Sequence, residues 1–138
     1  MFTLQDLERA QAVVADAMPP TPQFAWPLLA ERLGTEVWVK HENHTPTGAF
    51  KVRGGLVYMD GLRSRGIISA TRGNHGQSLA YAGAKHGIPV TIVVPVGNSV
   101  EKNAAMRRLV MLHATVAFAF NAVILASSIN VLAGLAGE

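Results

Sequence analysis

The chain has 138 residues, of which 49% are hydrophobic and 15% charged, so it can build a hydrophobic core and is not a disordered segment. Its formal net charge is +3, and no stretch alternates aromatic residues with Lys or Arg, so we expect small anionic ligands and no nucleic-acid partner. The lack of cysteine excludes disulfides, thiolate nucleophiles and cysteine metal sites, and it suits a reducing cytosol. We therefore expect a cytoplasmic protein of ordinary domain size.

Residues 1–35 are predicted to form a helix and a proline-rich lead-in. Thr3 and Asp6 have the spacing of a capping box, and the apolar side chains that follow recur on one helical face. This pattern predicts a helix from about Leu4 to Ala17, which the following proline pair must end. A short helical turn is predicted at 28–33.

Strand and helix patterns then alternate along residues 36–109. The clearest strand is the β-branched run PVTIVVP, and Ser99 is placed to cap the helix after it. The predicted elements are strands at 36–40, 67–70 and 89–95 and helices at 50–62, 74–85 and 100–109. This order predicts right-handed β–α–β units, which give an α/β fold with a three-layer parallel sheet and helices on both faces.

The tail at 110–138 differs in character, because no Lys, Arg, Asp or Glu occurs between Leu109 and Gly137. The run is long enough to span a bilayer, and two arginines precede it as the positive-inside rule asks. It also contains polar side chains, at His113, Asn121, Ser127, Ser128 and Asn130, and no basic cluster follows it. We predict one further strand and a buried helix, with a membrane anchor as the alternative.

Two loops are predicted at the edge where parallel α/β sheets bind ligands, beyond the carboxyl ends of the strands. One loop is HENHTPTGAF, residues 41–50, and the other is TRGNHGQ, residues 71–77. Both enter helices, whose N-termini offer free backbone N–H groups and positive potential to an anion. His41 and His44 do not have the spacing of a zinc motif on a helix, so we expect no metal site.

Lys51 is the most informative residue of the stretch PTGAFKVRGG. It is predicted at a helix N-terminus, where the macrodipole disfavours a cation. Its neighbours suggest a packed site, and burial in a positive field lowers a lysine pKa, which favours the neutral amine that forms Schiff bases. The alternative is a solvated first-turn lysine. Asn74, at the start of the next helix, has the alternative role of an N-cap.

Together the two loops resemble the fold-type II pyridoxal-phosphate-dependent enzymes, specifically the serine/threonine dehydratase group. The matching stretches are KHENHTPTGAFKVRG at 40–54, SATRGNHGQS at 69–78, and VVP at 93–95 with the pair Glu101-Lys102. The resemblance implies the N-terminal part of the tryptophan synthase β-like fold. It also implies pyridoxal 5'-phosphate as the cofactor and, for the intact protein, a homo-oligomer.

The resemblance further implies roles for individual residues. Lys51 would form a Schiff base with the cofactor and move the substrate α-proton, Phe50 would line the cofactor ring, and Asn74 would hydrogen-bond its 3-hydroxyl. The residues implied to hold the substrate carboxylate are Thr71, Gly73, Asn74 and His75. The reaction would be elimination of water from L-threonine or L-serine, giving a 2-oxo acid and ammonia.

The sequence departs from the family pattern in two ways. Arg72 stands where several relatives have a serine that acts in racemisation, so we expect elimination and leave a hydroxyaspartate-type substrate open. Family members are also longer, and their glycine-rich phosphate loop and pyridine-nitrogen partner do not occur in this chain. We expect a truncated or frame-shifted product, or a fragment. The alternatives are a non-catalytic fragment or pseudoenzyme, and another type II lyase or synthase.

Overall fold

The computed structural model describes residues 2–109 and, as backbone alone, 115–119. Helices and short strands follow one another along this part of the chain. They are α1 (Leu4–Ala17), β1 (Gln23–Ala25), α2 (Pro27–Leu33), β2 (Trp38–Lys40), a 3₁₀ turn (Glu42–His44), α3 (Lys51–Asp60), β3 (Ile67–Ala70), α4 (Asn74–His86), β4 (Val90–Pro95), α5 (Val100–Leu109) and β5 (Thr115–Ala119).

Helix α1 has the predicted bounds and the predicted N-terminal cap. The backbone N–H of Asp6 donates to the Thr3 hydroxyl at 3.2 Å, and the backbone N–H of Thr3 donates to the Asp6 carboxylate at 2.9 Å. The capping box is therefore confirmed, and it satisfies two N–H groups that the helix itself cannot. The hydroxyl of Ser99 likewise accepts from the N–H of Lys102 at the start of α5.

A parallel sheet with strand order β3-β4-β5 organises the second half of the fold. Val90, Ile92 and Val94 on β4 are buried, and the residues between them are half-buried. Helix α4 lies close against this buried face, because a side-chain carbon at Gly83 would collide with Val90. The α/β class is thus confirmed, with parallel strands joined by helices.

The strand predicted at 36–40 does not belong to this sheet, which corrects the prediction of a continuous parallel series. The residues of this stretch that form a strand are those of β2. Strand β2 pairs antiparallel with β1, and Phe24 lies opposite Val39. Strand β1 itself was missed, since three exposed residues between prolines carry no alternation of polar and apolar side chains. A separate two-stranded ribbon therefore precedes α3.

One hydrophobic core joins the end of α1 with the later elements. The buried side chains of this core are Met18, Val52, Leu56, Met59, Leu79, Ala80, Ala82, Val90, Ile92, Val94 and Met106. Leu56 and Ile92 are completely buried, and burial of such a side chain stabilises the fold by about 1.5–3 kcal/mol. Helices α3 and α4 are consequently held together by the same core that holds α4 on β4.

The predicted tail contains one described strand. Strand β5 supplies the further strand that we predicted, and it pairs parallel with β4. Within the described residues no helix has the length and apolar character needed to cross a membrane. The predicted buried helix and its membrane alternative at 120–138 lie outside the described residues.

Candidate functional site

Lys51 is the first residue of α3, and a tight turn precedes it. The Thr45 hydroxyl accepts from the Ala49 N–H at 2.9 Å and donates to the Ala49 carbonyl at 3.0 Å. Thr45 and Ala49 are buried, and Gly48 between them takes a left-handed φ of 66°, which glycine adopts without strain. The turn therefore fixes where α3 begins.

The backbone of Lys51 is also tied to the neighbouring helix. The hydroxyl of Ser78, on α4, donates a hydrogen bond to the Lys51 carbonyl at 2.6 Å. Ser78 is completely buried, and it faces Gly55, where an added side-chain carbon would collide with the Ser78 hydroxyl. The start of α3 thus lies against α4 at a point where Gly55 leaves room for the Ser78 hydroxyl.

A cavity of about 600 Å³ opens beside this contact. Its lining includes Lys51, Gly54 and Tyr58 from α3, Ile68 from β3 and His75 from α4. The α3 residues are spaced by three and four, so they form one stripe along the helix. The structure therefore brings the lysine and the start of α4 to one cavity.

The predicted packing around the Lys51 side chain is wrong. Lys51 is exposed, and Phe50, which lines the same cavity, is 63% exposed. Val52 is completely buried instead. Successive residues on a helix point about 100° apart, so the apolar neighbour faces the core while the lysine faces the open cavity.

The loop after β3 is placed as predicted, beyond the carboxyl end of a parallel strand. The N–H of Thr71 donates to the Val93 carbonyl at 3.0 Å, which aligns the loop with β4. Gly73 is buried and is the N-cap of α4, so the alternative of Asn74 as N-cap is wrong. Asn74 is the first helical residue, and both it and His75 are exposed.

The predicted site residues therefore fall into two groups. Phe50, Lys51 and His75 share the cavity lining. Thr71, Gly73 and Asn74 lie on the adjoining loop and on the first helical position of α4, and they are not among the lining residues. No side-chain hydrogen bond caps the N-terminus of α4, so its first backbone N–H groups are available to bind an anion.

An ion pair that we did not predict anchors the turn before Lys51. Arg53 binds the Glu42 carboxylate with two nitrogens, at 2.8 and 2.9 Å, and Thr21 donates to the same carboxylate at 2.7 Å. The hydrogen bonds from Arg53 lower the pKa of Glu42 to about 2. Both residues belong to the stretch 40–54. The sequence signal that could have predicted the ion pair is the presence of opposite charges eleven positions apart.

Glu42, the acid of this ion pair, lies in the sequence between His41 and His44, the two histidines that a metal site would use. The rings of Phe24 and Trp26 lie 5.5 and 5.8 Å from the ring of His41. Within the described residues, no three His, Asp or Glu side chains are grouped as metal ligands would be. Glu42 is therefore part of the anchor of α3.

Comparison with known proteins identifies the class. The model of the family described as "Pyridoxal-phosphate dependent enzyme" matches residues 14–117, and the chain belongs to that family. L-Threonine ammonia-lyase of Thermotoga maritima is 38% identical over 99 residues, which are 69% of this chain and 25% of the relative. Serine racemase of Rattus norvegicus is 35% identical over 101 residues, which are 68% of this chain and 30% of the relative.

The solved structures agree on the fold. Serine racemase from Dictyostelium discoideum matches with a TM-score of 0.83 and 28% identity, over 94% of this chain and 43% of that chain. The chain thus spans between a quarter and a third of these two curated relatives and less than half of the solved structure. The type II fold of the matched residues and the dependence of the family on pyridoxal phosphate are therefore established by this likeness.

Proposed function

We propose that this chain is the lysine-bearing part of a pyridoxal-phosphate-dependent ammonia-lyase acting on L-threonine or L-serine. The observation that carries the proposal is that Lys51 and His75, from the starts of two separate helices, line one cavity. The likeness to L-threonine ammonia-lyase supports the substrate class. Arg72, exposed on the loop between β3 and α4, supports elimination over racemisation, because it replaces the hydroxyl implied for racemising members.

The residues present fit the aldehyde and the ring of the cofactor, whereas the glycine-rich loop that the family uses for its phosphate does not occur in this chain. The cavity of about 600 Å³ is lined by Lys51, which can form a Schiff base, and by the aromatic residue Phe50. The uncapped start of α4 adds backbone donors. When bound, pyridoxal phosphate supplies the electron sink that the elimination needs.

The protein groups then have separate tasks in the proposed site. Lys51 would hold the cofactor through its amine and would move the substrate α-proton. Phe50 would lie beside the cofactor ring, and Asn74 would hydrogen-bond the ring 3-hydroxyl. The substrate carboxylate is held by the loop before α4 and its first turn, at Thr71, Gly73, Asn74 and His75. A carboxylate there gains from hydroxyl and amide donors and from the positive end of the helix dipole.

Lys51→Ala tests the cofactor site directly. We expect the purified chain, mixed with pyridoxal phosphate, to develop the absorbance band of lysine-bound cofactor. Borohydride should then leave a permanent mass increase on Lys51. Lys51→Ala should show neither signal, whereas Lys85→Ala should keep both, because Lys85 is an exposed lysine on α4 outside the cavity lining.

The outcome also separates the alternatives. A native chain without the band is the result expected of a non-catalytic fragment or pseudoenzyme, and it would refute the proposal. If the band forms, release of 2-oxobutyrate from L-threonine supports the ammonia-lyase. Conversion of L-serine to D-serine would instead identify a racemase.

We also propose that the protein acts in the cytoplasm, and cell fractionation tests this location.

A further inference from the structure

The buried serine of α4 links this helix to the start of α3. Ser78 lies one turn after Asn74 on α4, and its partner Lys51 lies one turn before Gly55 on α3. Residues four apart on a helix share a face, so the contact joins the first turn of α3 to the second turn of α4. The link is a hydrogen bond of 2.6 Å from the Ser78 hydroxyl to the Lys51 carbonyl.

Packing alone does not require a hydroxyl at this position. The buried neighbours Leu79, Ala80 and Ala82 on α4 are apolar, and alanine is a better helix former than serine. A buried hydroxyl is costly unless it is hydrogen-bonded. Its partner here is the backbone of the residue proposed to hold the cofactor.

We propose that Ser78 is a positioning residue that sets the place of the Lys51 amine relative to the loop 71–75. The inference rests on the proposed function, because that function assigns the amine to the cofactor and the loop to the substrate carboxylate. The Lys51 carbonyl already accepts from the N–H four residues on within α3. The second hydrogen bond, from Ser78, fixes that first turn against α4 and not merely within its own helix.

The glycine opposite makes the short contact possible. A side-chain carbon at Gly55 would collide with the Ser78 hydroxyl and would lie 3.0 Å from the Ser78 carbonyl oxygen. The two helices therefore approach more closely here than any other residue at 55 allows. This close approach brings the hydroxyl within reach of the Lys51 carbonyl.

Ser78→Ala tests the inference, with Ile88→Val as the matched control. Ile88 packs against the core beyond the far end of α4, and removing one methyl group there lowers stability without touching the site. The first measurement is hydrogen exchange at the amides of Arg53, Gly54 and Gly55, which needs no cofactor. We expect protection there to fall about fivefold to tenfold in Ser78→Ala, the size of one hydrogen bond, and to follow only global stability in Ile88→Val.

The second measurement is the rate at which Lys51 becomes linked to pyridoxal phosphate. In this step the amine condenses with the cofactor aldehyde and releases water, and borohydride then reduces the resulting C=N bond. We expect Ser78→Ala to slow the reaction about fivefold to tenfold and Ile88→Val to leave it unchanged. Equal protection in the two variants, or equal linkage rates where the native chain links to the cofactor, would overturn the positioning role and leave a structural one.

The two proposals fail in different ways. A native chain that never links to the cofactor refutes the proposed function. The exchange measurement then still decides whether Ser78 orders the first turn of α3. Unchanged protection in Ser78→Ala would overturn the inference about Ser78 by itself.

Discussion

At the scale of single residues, adjacent positions on α3 have opposite surroundings. Gly54 is exposed, and a side-chain carbon there meets nothing within 4 Å. Gly55 is buried against Ser78. Two effects of glycine in a helix can therefore be told apart. Gly54 shows the effect of its backbone freedom, and Gly55 shows the effect of lacking a side chain at a close contact.

The glycine pair leads to a prediction about stability. We expect Gly55→Ala to lower the free energy of unfolding by about 1–3 kcal/mol, because the added methyl group overpacks the contact with α4. Gly54→Ala should raise it by about 0.5–1 kcal/mol, since alanine is the better helix former in open space. Urea unfolding of both variants measures the difference. Equal effects of the two would show that the close contact at Ser78 is not required.

At the scale of elements, the ion pair between Glu42 and Arg53 joins the 3₁₀ turn to α3. It spans the loop that ends at Lys51, and Thr21 connects it to the chain before β1. The side chains of Arg53 and Glu42 are 31% and 22% exposed, so water screens the pair only partly. Three segments that are distant in sequence are thus held where α3 begins.

This ion pair predicts how stability depends on pH. The pKa of Glu42 falls from 4.5 to about 2 in the folded chain, so its contribution is present above pH 4.5 and is lost as pH falls towards 2. We expect Glu42→Gln to cost at most about 3 kcal/mol at pH 7, and the difference from the native chain to shrink through that window. Urea unfolding at several pH values measures it.

Glu31→Gln provides the control for this experiment. Glu31 is an exposed acid on α2, and surface substitutions of this kind change stability by no more than about 0.5 kcal/mol. A loss in Glu42→Gln that stays constant from pH 7 to pH 2 would contradict the role of the carboxylate charge.

At the scale of the whole molecule, one core spans the helices and the parallel sheet. Leu56 on α3 is completely buried within it, whereas Leu28 on α2 is 79% exposed. The core therefore holds α3, and with it the proposed site, in the same cooperative unit as α4 and β4. Loss of a central side chain is expected to weaken the unit as a whole.

We expect Leu56→Ala to lower the free energy of unfolding by about 2–5 kcal/mol, from lost burial and the cavity left behind. Leu28→Ala should change it by no more than about 0.5 kcal/mol. Chemical unfolding followed by circular dichroism compares the two variants. A similar small effect of both would show that α3 is not part of the common core.

The loops 41–50 and 71–77 were predicted to lie close together for a reason that is wrong. We expected both to follow strands of one parallel sheet, but β2 belongs to the antiparallel ribbon with β1. Lys51 reaches the start of α4 because α3 packs on α4, through the contact of Gly55 with Ser78. The packing of α3 on α4, and not a shared sheet edge, therefore brings Lys51 close to the start of α4.

The sequence by itself determined the elements whose signals are local. Helix α1 follows from its capping box and apolar stripe, β4 from its β-branched run, and α5 from the cap at Ser99, because these depend on residues a few positions apart. The family, too, was determined by ordered motifs in the stretches 40–54 and 69–78. These signals are present in the printed sequence without reference to the fold.

Only the tertiary structure decided which elements meet and which side chains face the cavity. The pairing of β1 with β2, the bond from Ser78 to Lys51 and the ion pair of Arg53 with Glu42 join residues between 11 and 27 positions apart. Lys51 was predicted to be packed and is exposed, because its direction depends on the rotation of α3 against its neighbours. Local patterns do not encode that rotation, since it is set by the whole core into which Val52 and Leu56 pack.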